Sequence, residues 1–263
     1  MSVLLQISDT HFGTERAPVV EALVALAARQ RPELLVLSGD ITQRARAAQF
    51  EAARRLVQRL GLPVLAIPGN HDIPLFDLWT RALRPYARYA AAFGDALAPV
   101  HASDQLLVLG VNTTRAWRHK HGQLSAAQIE QVAERLAAAA PRQLRVVVVH
   151  QPVAVLTEAE RVNLLRGHAA ALVRWAAAGA DLVMGGHIHL PYVQRLPGLA
   201  RPMWAVQAGT AVSSRVRAGV PNSVNLLRWH ADARHCAVER WDFAAEAGAF
   251  VAAGVTDLRP ARP

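Results

Sequence analysis

The sequence predicts an α/β fold of two stacked sheets with helices outside, and three observations carry that prediction. Through the first two-thirds of the 263 residues, short apolar runs, polar loops and amphipathic stretches alternate, which is the grammar of βα units. After His189, four strand-like runs follow one another without a helical stretch between them, as in a more antiparallel region. The composition, 52% hydrophobic and 19% charged, is that of a globular chain able to bury a large core.

The elements follow in order. Val3–Ile7 reads as a strand and Pro18–Gln30 as a helix, because Val19, Leu23, Leu26 and Ala27 recur at helical spacing and Pro18 suits a first turn. Leu34–Leu37 is a second strand. The helix over Ala47–Leu60 puts Phe50, Ala53, Leu56, Val57 and Leu60 on one face, with Gly61 as its stop. Val64–Ile67 and Leu106–Val111 are further strands. Trp79–Phe93 reads as a helix with Tyr86, Tyr89 and Phe93 on one face and Arg81, Arg84 and Arg88 on another. Ser125-Ala-Ala-Gln128 forms a capping box ahead of Ile129, Val132 and Leu136. Arg145–Val149 and Leu182–Met184 are buried strands flanking a helix near Ala169–Ala178. Tyr192–Leu196, Met203–Gln207, Val224–Trp229 and Ala237–Trp241 complete the strands. The last twenty residues, rich in Ala, Gly and Pro, read as a loosely held tail. One domain over 1–242 and a tail over 243–263 is the expected organisation.

Several classes are set aside. No apolar run is long enough to cross a bilayer. No basic leader precedes the first chemistry-bearing residue, Asp9, and the single cysteine, Cys236, suits a reducing compartment; the expectation is a cytoplasmic protein. The net charge of +9 comes almost wholly from arginine, since Lys120 is the only lysine. The arginines are scattered, so the charge alone does not separate an anionic partner from coding bias.

Five groups carry chemistry: Asp9-Thr-His11, Gly39-Asp40, Gly69-Asn70-His71-Asp72, His150, and Gly185-Gly186-His187-Ile-His189. Each follows a predicted buried strand, where α/β sheets place ligand-binding loops. Histidine nitrogen, aspartate oxygen and an asparagine carbonyl suit Mn, Fe, Zn or Co rather than a thiolate cluster. Seven such donors exceed the need of one tetrahedral ion; two ions sharing a carboxylate would employ them all.

The ordered pattern D-x-H, G-D, G-N-H-D, H, G-H-x-H resembles the calcineurin-like metallophosphoesterase superfamily over residues 1–190 or so. That resemblance implies a four-layer αββα sandwich of two mixed sheets. It implies one divalent transition-metal ion (Mn, Fe or Zn) held by Asp9, His11, Asp40 and His189, and a second held by Asp40, Asn70, His150 and His187. His71 would stay off the metals and act on the phosphoryl group or the leaving oxygen. Many members carry an aspartate three residues after the G-D aspartate, supporting the histidine; here that position is Gln43, so either another acid, such as Asp72, takes over or His71 works mainly as a hydrogen-bond donor. Arg44 falls where the protein Ser/Thr phosphatases place a phosphate-contacting arginine.

The resemblance implies a phosphodiesterase using a metal-activated hydroxide, with a phosphoester small molecule, first a cyclic nucleotide, as substrate. Alternatives on the same site are a nuclease, a nucleotide-lipid pyrophosphohydrolase and a phosphomonoesterase. A non-catalytic protein-binding module would show missing ligands, and none is missing. Nucleic acid is not favoured, because no added domain is visible. A homodimer is open, as related enzymes are often dimers. The basic loop Arg115–Gly122, with His119 and His121, and the segment Asn112–Arg115 are weaker candidates for contacts around the site.

Overall fold

The computed structural model describes residues 1–261. Twelve strands form two six-stranded sheets. The first has the order β12-β11-β10-β1-β2-β3, from β1 (Ser2–Ile7), β2 (Leu34–Ser38), β3 (Val64–Ile67), β10 (Ser223–His230), β11 (His235–Ala244) and β12 (Ala249–Leu258). The second has the order β4-β5-β6-β7-β9-β8, from β4 (Val100–Ala102), β5 (Leu106–Gly110), β6 (Leu144–Val148), β7 (Leu182–Gly185), β8 (Tyr192–Arg195) and β9 (Trp204–Gln207). β1, β2 and β3 run parallel, as do β5, β6, β7 and β9, while the other pairings are antiparallel. Both sheets are therefore mixed.

The layers follow from strand alternation. Leu5 and Ile7 point outward onto α1 (Ala17–Gln30) and α2 (Ala47–Leu60), whereas Leu4 points inward. Between the sheets, Val36, Ile67 and Trp229 of the first meet Val146, Val148, Met184 and Val206 of the second. The outer face of the second sheet packs on α5 (Ala126–Ala137) and α6 (His168–Ala177). Trp175 of α6 is fully buried and its indole N–H donates to the Ile129 carbonyl of α5 at 3.1 Å. The result is the expected four-layer αββα sandwich. On α1, Leu23 and Leu26 are completely buried, each worth about 2 kcal/mol of transfer free energy.

The termini of the helices obey the predicted chemistry. Gly61 takes the left-handed conformation, φ 64°, that ends α2, and Ser125 accepts from the Gln128 N–H to open α5.

Two sequence expectations change. The Trp79–Phe93 helix is two short ones, α3 (Leu78–Leu83) and α4 (Ala87–Phe93). Pro85 breaks them, since a proline has no N–H to give and disfavours helix in the residue before it. Tyr89 and Phe93 join the core as expected, but Tyr86 turns to the Thr114 hydroxyl at 2.7 Å. The stretch read as a tail begins as the end of β11 and continues as the edge strand β12, paired from Ala244↔Ala249 to Cys236↔Leu258. Its run of small residues gave no periodicity, yet the backbone ladder, with Phe250 and Leu258 buried at its ends, holds it. No helix among the described residues is long and apolar enough to cross a membrane.

Candidate metal centre

All five groups meet at one end of the sandwich. Asp9 and His11 follow β1, Asp40 follows β2, Asn70 and His71 lie in a 3₁₀ turn after β3, His150 follows β6, and His187 and His189 follow β7. The carboxyl ends of both sheets' parallel strands thus face a common centre. Three overlapping sets have donor atoms within 4.8 Å of one another: Asp9, His11 and His189; Asp40, His150 and His187; and His11, Asp40 and His71.

The backbone is shaped to bring them there. Asp9, His11, Asp40, His187 and His189 all have positive φ, between 40° and 75°. That region is uncommon for residues with a Cβ and is retained where the surrounding structure dictates it. Close approach needs glycine at Gly69, where an added Cβ would collide with the backbone nitrogen and carboxylate of Asp40. Asp72 clamps the same junction: its carboxylate accepts from the Gly69, Ile41 and Thr42 N–H groups at 2.8–3.0 Å and from the Thr42 hydroxyl at 2.8 Å. Burial raises its pKa to about 6, with Asp40 adding to the shift.

The ring orientations turn imidazole nitrogens toward the carboxylates. The Ser38 carbonyl can only accept, so His150 Nδ1 carries the hydrogen, at 2.9 Å, and Nε2 turns its lone pair to Asp40 Oδ1 at 3.2 Å. The Arg215 carbonyl fixes His189 likewise at 2.5 Å. Its Nε2 faces Asp9 Oδ1 at 3.3 Å and His11 Nε2 at 3.2 Å. Lone pairs held this close repel unless a proton or a cation lies among them. Asn70 Oδ1 and both nitrogens of His187 are buried with no hydrogen-bond partner, a cost of about 1–3 kcal/mol per atom that coordination would remove. Nitrogen and oxygen donors without thiolate fit transition-metal ions.

Protonation follows the same geometry. Burial would raise Asp9, but His189 outweighs it and the carboxyl falls to about 2. Burial likewise opposes ionisation of Asp40, and His150 overcomes it, holding the acid well below its usual range. Burial lowers His150, yet Asp40 wins and its pKa rises to about 9. Burial drives His11 and His187 down to about 3. Protons thus occupy part of the space that metals claim.

Around the centre, His71 Nδ1 bonds the backbone carbonyl of Gln43 at 2.9 Å, and the His71 backbone N–H donates to Asp40 Oδ1 at 2.9 Å. Asp72, with its oxygens occupied by the loop, does not take the role of the missing aspartate; a main-chain carbonyl does. Arg44 is exposed, its guanidinium 5.7 Å from the centroid of the Phe76 ring. Asn112 and Thr113 shape their own loop: Asn112 Oδ1 accepts from Thr114, and Thr113 donates to Gln151, next to His150, at 2.6 Å. His119 is shifted down by burial and by nearby cationic groups, His71 first among them. Sequence reading missed Arg215, whose Nη1 lies 2.9 Å from Gln43 Oε1 and 3.3 Å from His71 Nε2. It lies in the loop between β9 and β10, eight residues past Gln207, beyond the reach of the strand-end rule that found the other residues.

An αββα sandwich converging these nitrogen and oxygen donors at its strand ends defines an α/β protein with a candidate metal centre. The chain belongs to the calcineurin-like phosphoesterase family, whose profile matches residues 2–191. It is 26% identical over 201 residues to a probable cyclic nucleotide phosphodiesterase of Synechococcus sp., covering 73% of this chain and 74% of that one. It is 32% identical over 206 residues to a cAMP/cGMP dual specificity phosphodiesterase of Mycobacterium tuberculosis, covering 71% and 61%. A shorter stretch of 83 residues is 39% identical to the glycerophosphodiester phosphodiesterase GpdQ of Enterobacter lignolyticus, 27% of this chain and only 29% of that protein. Among solved structures, a dimetal phosphatase from Danio rerio superposes with a TM-score of 0.69 over 99% of both chains at 13% identity, a likeness of fold.

Proposed function

We propose that the protein is a metal-dependent phosphodiesterase with a cyclic nucleotide as its first substrate class. The observation that carries the reading is the pair of donor sets at one centre, with imidazole lone pairs turned onto the carboxylates of Asp9 and Asp40. In this reading Asp9, His11, Asp40 and His189 hold one ion and Asp40, Asn70, His150 and His187 the other, with Asp40 shared. Metal bound there would supply Lewis acidity and lower the pKa of a coordinated water.

The chain's own residues do the rest. Ser38 and Arg215 carbonyls lock the tautomers of His150 and His189 so that Nε2 is the donor nitrogen. His71 stands outside the two ligand sets. Its Nδ1 is committed to Gln43, so Nε2 is the nitrogen that would act on the phosphoryl group or the leaving ester oxygen. The two long relatives named for cyclic nucleotides support that substrate class. The short GpdQ match supports a small glycerophosphodiester as the second reading.

The test is to strip the metal, then measure hydrolysis of bis(p-nitrophenyl) phosphate with Mn, Fe, Zn or no ion added. Hydrolysis restored by metal is expected. Activity indifferent to metal, or absent with every ion, overturns the reading. Cyclic AMP and cyclic GMP set beside glycerophosphodiesters, dinucleotides and phosphomonoesters then rank the substrates.

A further inference from the structure

We propose that Arg215 is a substrate-binding residue of this centre, its guanidinium grasping the non-bridging oxygens of the phosphoryl group beside His71. The proposal rests on the phosphoesterase reading and adds to it a residue that no motif marks.

Arg215 Nη1 sits 3.3 Å from His71 Nε2, the nitrogen that faces the reaction. Among the described residues, Arg215 has no carboxylate within 4.0 Å, whereas its neighbour Arg217 pairs with Glu160 at 2.7 Å. The partner Arg215 does have is neutral: Gln43 Oε1, at 2.9 Å. An amide oxygen orients a guanidinium without cancelling its charge. An aspartate at position 43 would neutralise it, so the departure at Gln43 acquires a physical reason. The same residue serves both partners, its backbone carbonyl aligning His71 and its side chain aligning Arg215.

The backbone of Arg215 is tied to the centre as well. Its carbonyl accepts from His189 Nδ1 and, at 2.8 Å, from the Thr210 hydroxyl, while its N–H donates to Ser213 Oγ at 2.9 Å. Loop, imidazole and guanidinium are therefore in fixed register. The side chain is half-buried, open enough to meet a ligand and sheltered enough for its charge to act. A planar guanidinium suits phosphate oxygens better than a point charge does.

The experiment uses the full chain reconstituted with Mn. Inorganic phosphate binding is measured by calorimetry, metal content by elemental analysis, and kcat and KM with bis(p-nitrophenyl) phosphate, for the native protein, Arg215→Gln and Arg215→Lys. Arg215→Gln is expected to weaken phosphate binding about 10- to 100-fold with metal content retained, because the contact to His189 is made by backbone. Arg215→Lys should lose less, and guanidinium added at millimolar concentration should restore part of the activity of Arg215→Ala. Unchanged phosphate affinity in Arg215→Gln overturns the proposal. So does loss of metal in both Arg215→Gln and Arg215→Lys, which would make the residue a support of the centre. Native protein that binds phosphate through Arg215 yet hydrolyses no phosphodiester would fail the functional reading alone. Native hydrolysis that Arg215→Gln leaves intact would fail this proposal alone.

Discussion

The two ends of β7 bury aspartates in opposite ways. At the amino end, Asp181 receives the Arg145 N–H at 3.0 Å and the Arg201 guanidinium at 3.0 Å, with Arg234 at 3.9 Å. Arg201 also reaches the Ala261 carbonyl at 2.9 Å, tying the chain's last described residue to this cluster. At the carboxyl end, Asp9 faces the His187 N–H at 3.0 Å and the His189 imidazole at 3.3 Å. Both carboxylates are completely buried. Beside a main-chain N–H, the first is completed by guanidinium groups that keep their charge; the second by imidazoles that titrate. A buried carboxylate with permanent cations is finished as a structure. One whose partners are ring lone pairs is finished only when a proton or a metal arrives.

The largest effect should come from Asp40→Ala. Elemental analysis should find both ions gone, and metal-dependent hydrolysis should fall on the order of 10³-fold or more. Retention of either ion at full occupancy would break the contrast between the two ends.

His71→Ala should lower turnover about 10²- to 10⁴-fold while elemental analysis finds the normal metal content. A drop in bound metal would instead place His71 among the ligands, with His11 and Asp40.

The amino end should respond in the other currency. Asp181→Ala strands the Arg145 N–H and removes the partner of Arg201, and should cost about 3 kcal/mol, a fall in Tm of about 6–12 °C by calorimetry. The protein that remains folded should bind its full complement of metal. Lost metal with an unchanged Tm would reverse the assignment of structural and functional ends.

The smallest effect is in pH. Burial depresses His150, but Asp40 raises it to about 9 from an ordinary 6.5. In the metal-free protein its contribution to stability is fully present below 6.5 and disappears as pH rises through 9. Metal must displace that proton, so binding at pH 7.5 should release it, and the release should fade towards pH 9 and above. Titration calorimetry in buffers of different ionisation enthalpy measures this directly. A proton count that does not change with pH would remove His150 from the ligands.

Much of the fold was legible because local rules agreed with it. Val19, Leu23 and Leu26 marked the buried face of α1, and Ser125 with Gln128 marked the start of α5. The tail was not legible, since Val251–Thr256 are largely exposed and their order comes from main-chain pairing with β11. A sequence carries side-chain periodicity, and an edge strand with one weakly packed face has little. The parallel pairing of β9 with β7 was hidden for a different reason: β8 separates them in sequence yet lies at the sheet edge beyond β9, and a buried apolar run carries no sign of its direction.

The proposed metal donors were visible because each lies within two residues of another or just after an apolar strand. Arg215 was invisible because it is 144 residues from the His71 it touches. The choice between Asp72 and a purely hydrogen-bonding His71 stayed open, because adjacency along the chain says nothing of the direction in which a carboxylate points.

By itself, then, the sequence determined which residue types would gather at the strand ends: their chemistry is local, and their position after apolar strands is a matter of periodicity. Only the tertiary structure decided how they face one another. Ring tautomers, the carbonyl of Gln43 behind His71 and the guanidinium of Arg215 before it depend on contacts between loops far apart in the chain. Those contacts are set by the packing of two sheets, and no local pattern encodes that distance.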